Sequence, residues 1–211
     1  MSISEIKKWS KEKIKGKWYN LLPGIIIASI ITGIGFTIKN PNGGFTYYSV
    51  GWIFYVIEVG LTYYIVNFIT DKDYSIDNIF HFAKDFLKGI VISLLSGIFI
   101  FLCSLLFIIP GILKILSYSF IPMIMSDEKY KDLSYMDILK LSEDMMKGHR
   151  GKYFLLGLSF IGWHILALFT LFILEIWIAP YQQVATTKFL YDVKKEYEKK
   201  NKKSNEKKES K

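Results

Sequence analysis

Four ionisable residues interrupt the apolar runs of this chain: Glu58, Lys114, His164 and Glu175. A charge among apolar neighbours is costly unless it meets an opposite charge, a hydrogen-bonding group or water. If the runs cross a bilayer, the four side chains fall at similar depth in its outer half, and two readings of them stay open. One is a small polar cavity in which Lys114 counters Glu58 or Glu175. The other is a structural ion pair that orients helices, with His164 hydrogen-bonded to a neighbour. Catalytic patterns are thin by comparison. His81, His149 and His164 are scattered, no His-Glu-x-x-His run exists, and His81 with Asp85 is a weak pair on one helical turn. Gly157, Ser159 and Gly162 miss the nucleophile-elbow spacing by one position, and glycines in apolar runs, Gly33 and Gly35 among them, more often let helices approach closely. There is no phosphate loop or carboxylate dyad, and the single cysteine, Cys103, sits in an apolar run. The expectation is a non-enzymatic protein with no catalytic residue, no cofactor and no metal.

The elements that must position these residues are the runs themselves. The chain is 51% hydrophobic, its mean hydropathy is +0.26, and several of its runs approach span length, which argues for a membrane protein. Six helical spans are expected at 21–38, 50–70, 90–109, 112–125, 153–169 and 171–191, the fourth being short for a bilayer. Asn-Pro and Asn-Gly-Gly signals mark a turn-rich loop between the first two. Pro110-Gly111 and the Thr170 region leave room only for tight hairpins. The charged first twenty residues, with Trp9 and Trp18 and no small-residue cleavage site, predict that the first run stays as an anchor.

Before three pairs of these runs the chain writes a similar amphipathic segment. SYMDILKLSEDMMKG opens on a capping Ser134, carries Asp137 three residues later and closes on Gly148. SIDNIFHFAKDFLKG, between Ser75 and Gly89, and SISEIKKWSKEKIKG, between Ser2 and Gly16, fill the same slots. Any capped amphipathic helix ending in Lys-Gly has this look, so the repeat is favoured rather than demonstrated. The expected fold class is all-α: a polytopic membrane helix bundle of one domain, 1–191, with repeats at about 2–70, 75–126 and 134–191. Two spans per unit make the units parallel, around a pseudo-threefold axis along the membrane normal.

The net charge of +8 sits at the ends. Residues 1–20 hold six Lys against two Glu, and 192–211 hold nine Lys against five acids. Lysine and the single arginine crowd the termini and the 71–89 and 126–152 loops, which places both termini in the cytoplasm. The polar tail, 192–211, is expected to be disordered. Its partner and that of the basic N-terminus would be the lipid bilayer and its anionic headgroups. Without aromatic or Arg-rich interleaving, nucleic acid is not expected. A membrane-protein partner or a homo-oligomer stays open.

SLLFIIPGILKILSYSFIPMIMSD, 104–127, and LSYMDILKLSEDMMKGHRGKYFLLGLSFIGW, 133–163, closely resemble a bacterial integral-membrane family, domain of unknown function 975. Glu58-Val59-Gly60-Leu61 resembles its Glu-Val-Gly element, and Pro180-Tyr181 followed by Phe189 its Pro-Tyr to Phe-Tyr ending. Two departures are the family's Lys-Gly-Asn-Lys-Trp, replaced here by 147–153, and its Phe-Tyr, split here by Leu190. The resemblance implies a multi-pass protein of the bacterial cytoplasmic membrane with no established activity. The leading expectation is envelope protection or immunity to membrane-active peptides. The alternative is a small transporter or channel component with a polar cavity in the outer half of the bilayer, and an intramembrane enzyme is the third reading.

Overall fold

The computed structural model describes residues 2–32, 35–39, 45–49, 55–80, 85–106, 108–171 and 173–209. His81, Gly33, the 40–44 turn signals and the start of the second expected span, 50–54, lie outside them. The described chain is a helical bundle with one short hairpin. Helix α1 (Ile3–Ile14) leads into α2 (Trp18–Thr32), strands β1 (Gly35–Lys39) and β2 (Phe45–Ser49), and α3 (Tyr55–Ile69). A 3-10 turn (Ile76–Ile79) precedes α4 (Phe86–Leu106), α5 (Ile108–Tyr118) and α6 (Ile121–Met125). The last helices are α7 (Tyr135–Met146), α8 (Arg150–Phe169) and α9 (Glu175–Glu209).

Helices α4 and α8 are each long and apolar enough to cross a membrane, and only 11% and 17% of their apolar windows are buried. The core helix of a soluble domain would bury most of that surface. Here Leu94, Ile98, Phe101 and Leu105 on α4 and Leu155, Ile165 and Phe169 on α8 face outward instead. The other apolar helices are shorter, at 18–31, 55–69 and 109–125.

The two outer amphipathic segments fold alike. Ser2 caps α1 in a capping box, its Oγ accepting from the Glu5 amide at 3.2 Å while its own amide donates to Glu5 Oε2 at 2.6 Å. Ser134 caps α7, accepting from the Asp137 amide at 3.3 Å. Gly16 and Gly148 then take φ of +72° and +83°, left-handed values that suit glycine. Ile6 and Ile138 are buried at equivalent positions, as are Ser10 and Ser142. The middle copy differs. Ser75 makes no side-chain cap, the segment winds as the short 3-10 turn, and Gly89 is not a helix stop but lies inside α4, where an added Cβ would sit 3.4 Å from Val56. Glycine is used there for close packing of α4 on α3.

These three segments dock in rotation. The first, α1, lies on α9; the 3-10 turn lies on α3; and α7 lies on α5 and α6. The 3-10 turn and α7 thus each pack on apolar helices that precede them in the chain, and α1 packs on the last helix. Tyr181, after Pro180, fixes the first contact by donating from its hydroxyl to the Lys7 carbonyl at 3.2 Å. Ser142 fixes the third by donating to the Ser117 carbonyl at 2.6 Å.

Three further expectations change. Residues 35–39, expected to finish the first span, form strand β1 instead, paired antiparallel with β2 from Gly35 with Ser49 to Lys39 with Phe45, and α2 is described to Thr32. Aromatic and β-branched residues dominate both strands and favour that form. Pro110-Gly111 does not make the turn. Pro110 sits in the first turn of α5, where its missing N–H costs nothing. A Cβ on Gly111 would lie 2.1 Å from Ser104 Oγ and 3.0 Å from Ser104 Cα, so this glycine allows α4 and α5 to touch. Finally, α9 continues through the stretch expected to be disordered. Phe189, Leu190 and Val193 continue its apolar face, with Tyr197 one turn on. Glu198 accepts from Lys129 at 2.9 Å and from Tyr130 at 3.0 Å, and Lys194 pairs with Asp127.

Candidate functional site

A cavity of about 630 Å³ opens among α3, α5, α6 and α9. From α3 come Tyr55, Glu58 and Thr62; from α5 and α6, Tyr118 and Pro122; from α9, Glu175, Gln182, Gln183 and Thr186. Ser96 of α4 and Tyr153 of α8 complete the wall. Glu58 and Thr62 stand one turn apart, and Glu175, Gln182, Gln183 and Thr186 form a polar stripe along α9, so helical periodicity delivers both sets to one space. The lining holds two carboxylates and, among the described residues, no lysine, arginine or histidine.

Glu175 is tied back by His164 of α8, whose Nδ1 lies 3.3 Å from its carboxylate. The other ring nitrogen, Nε2, lies 2.7 Å from the Gln182 side-chain amide. His164 thus links two of the α9 lining residues, its Nε2 donating to the Gln182 side-chain oxygen. This is a positioning arrangement. It fixes where one negative charge points into the cavity.

Lys114 is not part of it. Its ammonium lies 2.5 Å from Glu143 Oε1 on α7 and 5.4 Å from the centre of the Tyr118 ring. Neither Glu58 nor Glu175 is its partner, which corrects the expected pairing. The reason is that α7 docks on α5 and brings its own carboxylate to the lysine, so the expected interfacial helix supplies the counter-charge. Burial pushes the Glu143 carboxyl up, but hydrogen bonds from Lys114 and Tyr118 outweigh it and hold it below the usual glutamate value. Lys188 and Asp192 of α9 pair with each other at 2.5 Å, and Lys188 also lies over the Trp9 ring.

Of the four residues singled out by charge, Glu58 and Glu175 share the cavity, His164 supports one of them and Lys114 belongs to a docking contact. Sequence reasoning missed Thr62, Ser96, Gln182, Gln183 and Thr186. The signal was present on α9, where four polar residues recur at helical spacing inside an otherwise apolar run. Among the described residues no group of three or more His, Cys, Asp or Glu gathers as metal ligands do.

A helical bundle that turns apolar faces outward and encloses polar groups is the class of protein defined by this fold and site. The family described as Protein of unknown function (DUF975) matches residues 1–133 and again 106–197, and the chain belongs to it. No curated protein and no solved structure matches the chain.

Proposed function

We propose that this chain is a six-span protein of the bacterial cytoplasmic membrane whose central, acid-lined cavity binds a small cationic solute, as part of a transporter or channel. The observation that carries the reading is the meeting of Glu58 and Glu175 in one cavity among α3, α5, α6 and α9. Carboxylates held among apolar helices are costly, and intramembrane examples commonly serve ion or substrate paths. A cation compensates that cost directly.

Other features support the membrane part of the reading. The outward apolar residues of α4 and α8 match lipid rather than water. The shorter helices 18–31, 55–69 and 109–125 reach across with local bilayer thinning and snorkelling of their flanking residues. The rotational docking of α1, the 3-10 turn and α7 supports three parallel units. So does the double match of one family to overlapping stretches. Asp71 and Asp127, just after α3 and α6, and Asp192, within α9, pair with Lys13, Lys194 and Lys188. Lysine-rich loops on one side keep both termini cytoplasmic in this reading. Envelope protection has no comparable geometric support, since it makes no use of an enclosed carboxylate pair.

The test is ligand stabilisation in nanodiscs. Ethylammonium, putrescine and sodium, each as chloride, are compared with choline acetate and choline chloride by thermal unfolding, since a ligand that binds only the folded state stabilises it. One or more of the first three raises the unfolding temperature of the parent and leaves a Glu58→Gln, Glu175→Gln protein unchanged. No cation-specific rise, or an equal rise in the double variant, contradicts the proposal.

A further inference from the structure

A second cavity, of about 750 Å³, runs between α1 and the start of α2 on one side and α8 with the first turns of α9 on the other. Its wall is apolar: Trp18, Trp163, Leu174, Trp177 and Ile178. Its mouth is basic. Lys7, Lys11 and Lys15 follow one another at four-residue spacing, which places them along one side of α1, and Glu12 is the one acid among the described lining residues. Lys7 is already engaged, donating to the Ser159 carbonyl at 3.0 Å and lying 4.5 Å from the centre of the Phe160 ring, and so it pins α1 against α8. Lys11 and Lys15 are exposed. Gly16 then turns the chain at its left-handed φ of +72°, and Trp18 packs on Trp177 with ring centres 5.7 Å apart.

We propose that this groove holds one anionic phospholipid, with Lys11 and Lys15 on its phosphate and headgroup and the three tryptophans against its glycerol and upper acyl chains. The charge is complementary, because two exposed ammonium groups border a groove that carries a single carboxylate. The apolar wall selects a lipid over a free phosphate, which would leave the indoles without a partner. Trp163 and Trp177 are 46% and 50% exposed, bare indole that an acyl chain would cover. A cavity of this size lies within the range that takes a headgroup and the first carbons of its chains. Ammonium-to-phosphate hydrogen bonds are charge-assisted and add to the burial of the chains. The inference rests on the bilayer reading but not on the cation cavity.

Bromine on an acyl chain quenches tryptophan on contact, which gives the test. Trp9→Phe and Trp52→Phe leave Trp18, Trp163 and Trp177 as the only tryptophans, excited selectively over tyrosine at the red edge of the absorption band. The protein is reconstituted in vesicles of phosphatidylcholine containing either brominated phosphatidylglycerol or brominated phosphatidylcholine, and relative association is read from quenching. Brominated phosphatidylglycerol is preferred at least tenfold. Lys11→Gln and Lys15→Gln each lower that preference about fivefold, the effect of one lysine near an anionic surface. Lys8→Gln, which removes the same charge from α1 without lining the groove, changes it less than twofold. Equal quenching by the two lipids, or equal loss in Lys8→Gln and Lys11→Gln, overturns the site, the latter by showing diffuse attraction. Absence of quenching by either lipid would instead remove the bilayer reading beneath it. Circular dichroism and the elution volume of each variant confirm that the fold compared is the same.

Discussion

Replacing Lys114 with Met leaves Glu143 facing the α5–α7 contact without its cation. The two side chains are 27% and 32% exposed, so the pair lies between a surface bridge and a buried one. Exposed pairs contribute up to about 1 kcal/mol, and removing one partner of a buried pair costs about 3–5 kcal/mol. On that scale Lys114→Met costs about 2 kcal/mol, and Glu143→Gln costs about 1–2 kcal/mol. The double variant loses less than the sum by about 1 kcal/mol, because neither charge is then left alone. The assay is denaturant unfolding in mixed micelles across the four proteins of the cycle. Two control cycles combine Lys114→Met with Glu58→Gln and with Glu175→Gln and come out additive within about 0.3 kcal/mol. Additivity with Glu143, or coupling with either cavity carboxylate, would refute the assignment of Lys114 to helix docking.

Other outcomes follow from the same geometry. Gly111→Ala loses about 1–3 kcal/mol, since α4 and α5 must part to admit a Cβ, and Ser104→Gly, which removes the nearest side chain, returns part of the loss in the same unfolding assay. Ser2→Ala and Ser134→Ala each lose about 1 kcal/mol as N-cap deletions, whereas Ser75→Ala, without a cap bond to lose, changes stability by less than about 0.5 kcal/mol. Acid weakens the docking of α9's lower half. Burial raises the Asp127 and Glu198 carboxyls, but hydrogen bonds led by those from Lys194 and Lys129 hold both below their ordinary values of 3.8 and 4.5. A depressed native value stabilises above the ordinary one, so this contribution is complete above about pH 5 and fades as pH falls through the native values. Protease cleavage between 192 and 202 therefore accelerates below about pH 4, and no faster cleavage at low pH than at pH 7 would contradict it.

Much of the scaffold was legible because its signals are local. Ser2 with Glu5, Ser134 with Asp137, and glycine after lysine are patterns that a few residues complete by themselves, and they fold as read. The middle copy was not, because whether Ser75 caps and Gly89 stops depends on how closely α4 approaches Val56, which is a tertiary matter. Pro110-Gly111 reads as a turn by residue type, yet the same two residues serve equally as a helix first turn and a helix contact. Charge drew attention to Glu58 and Glu175, which line one cavity, since lone acids in apolar runs are conspicuous. It misassigned Lys114, because the competing carboxylate, Glu143, sits on a segment whose polar face looked destined for water. The uncharged half of the lining, from Thr62 to Gln183, carries no such flag.

The central claim is that Glu58 and Glu175 make one water-reachable, negative cavity inside a membrane bundle. Thr186→Cys in a Cys103→Ser background places a thiol on its wall, and labelling of the protein in proteoliposomes with cationic and anionic methanethiosulfonates of similar size measures the local potential. Two carboxylates in a lining that holds no lysine or arginine among the described residues favour the cationic reagent by roughly tenfold, and Glu58→Gln with Glu175→Gln brings the two rates together. Equal rates in the parent, or no labelling by either reagent from either side of the membrane, would contradict it.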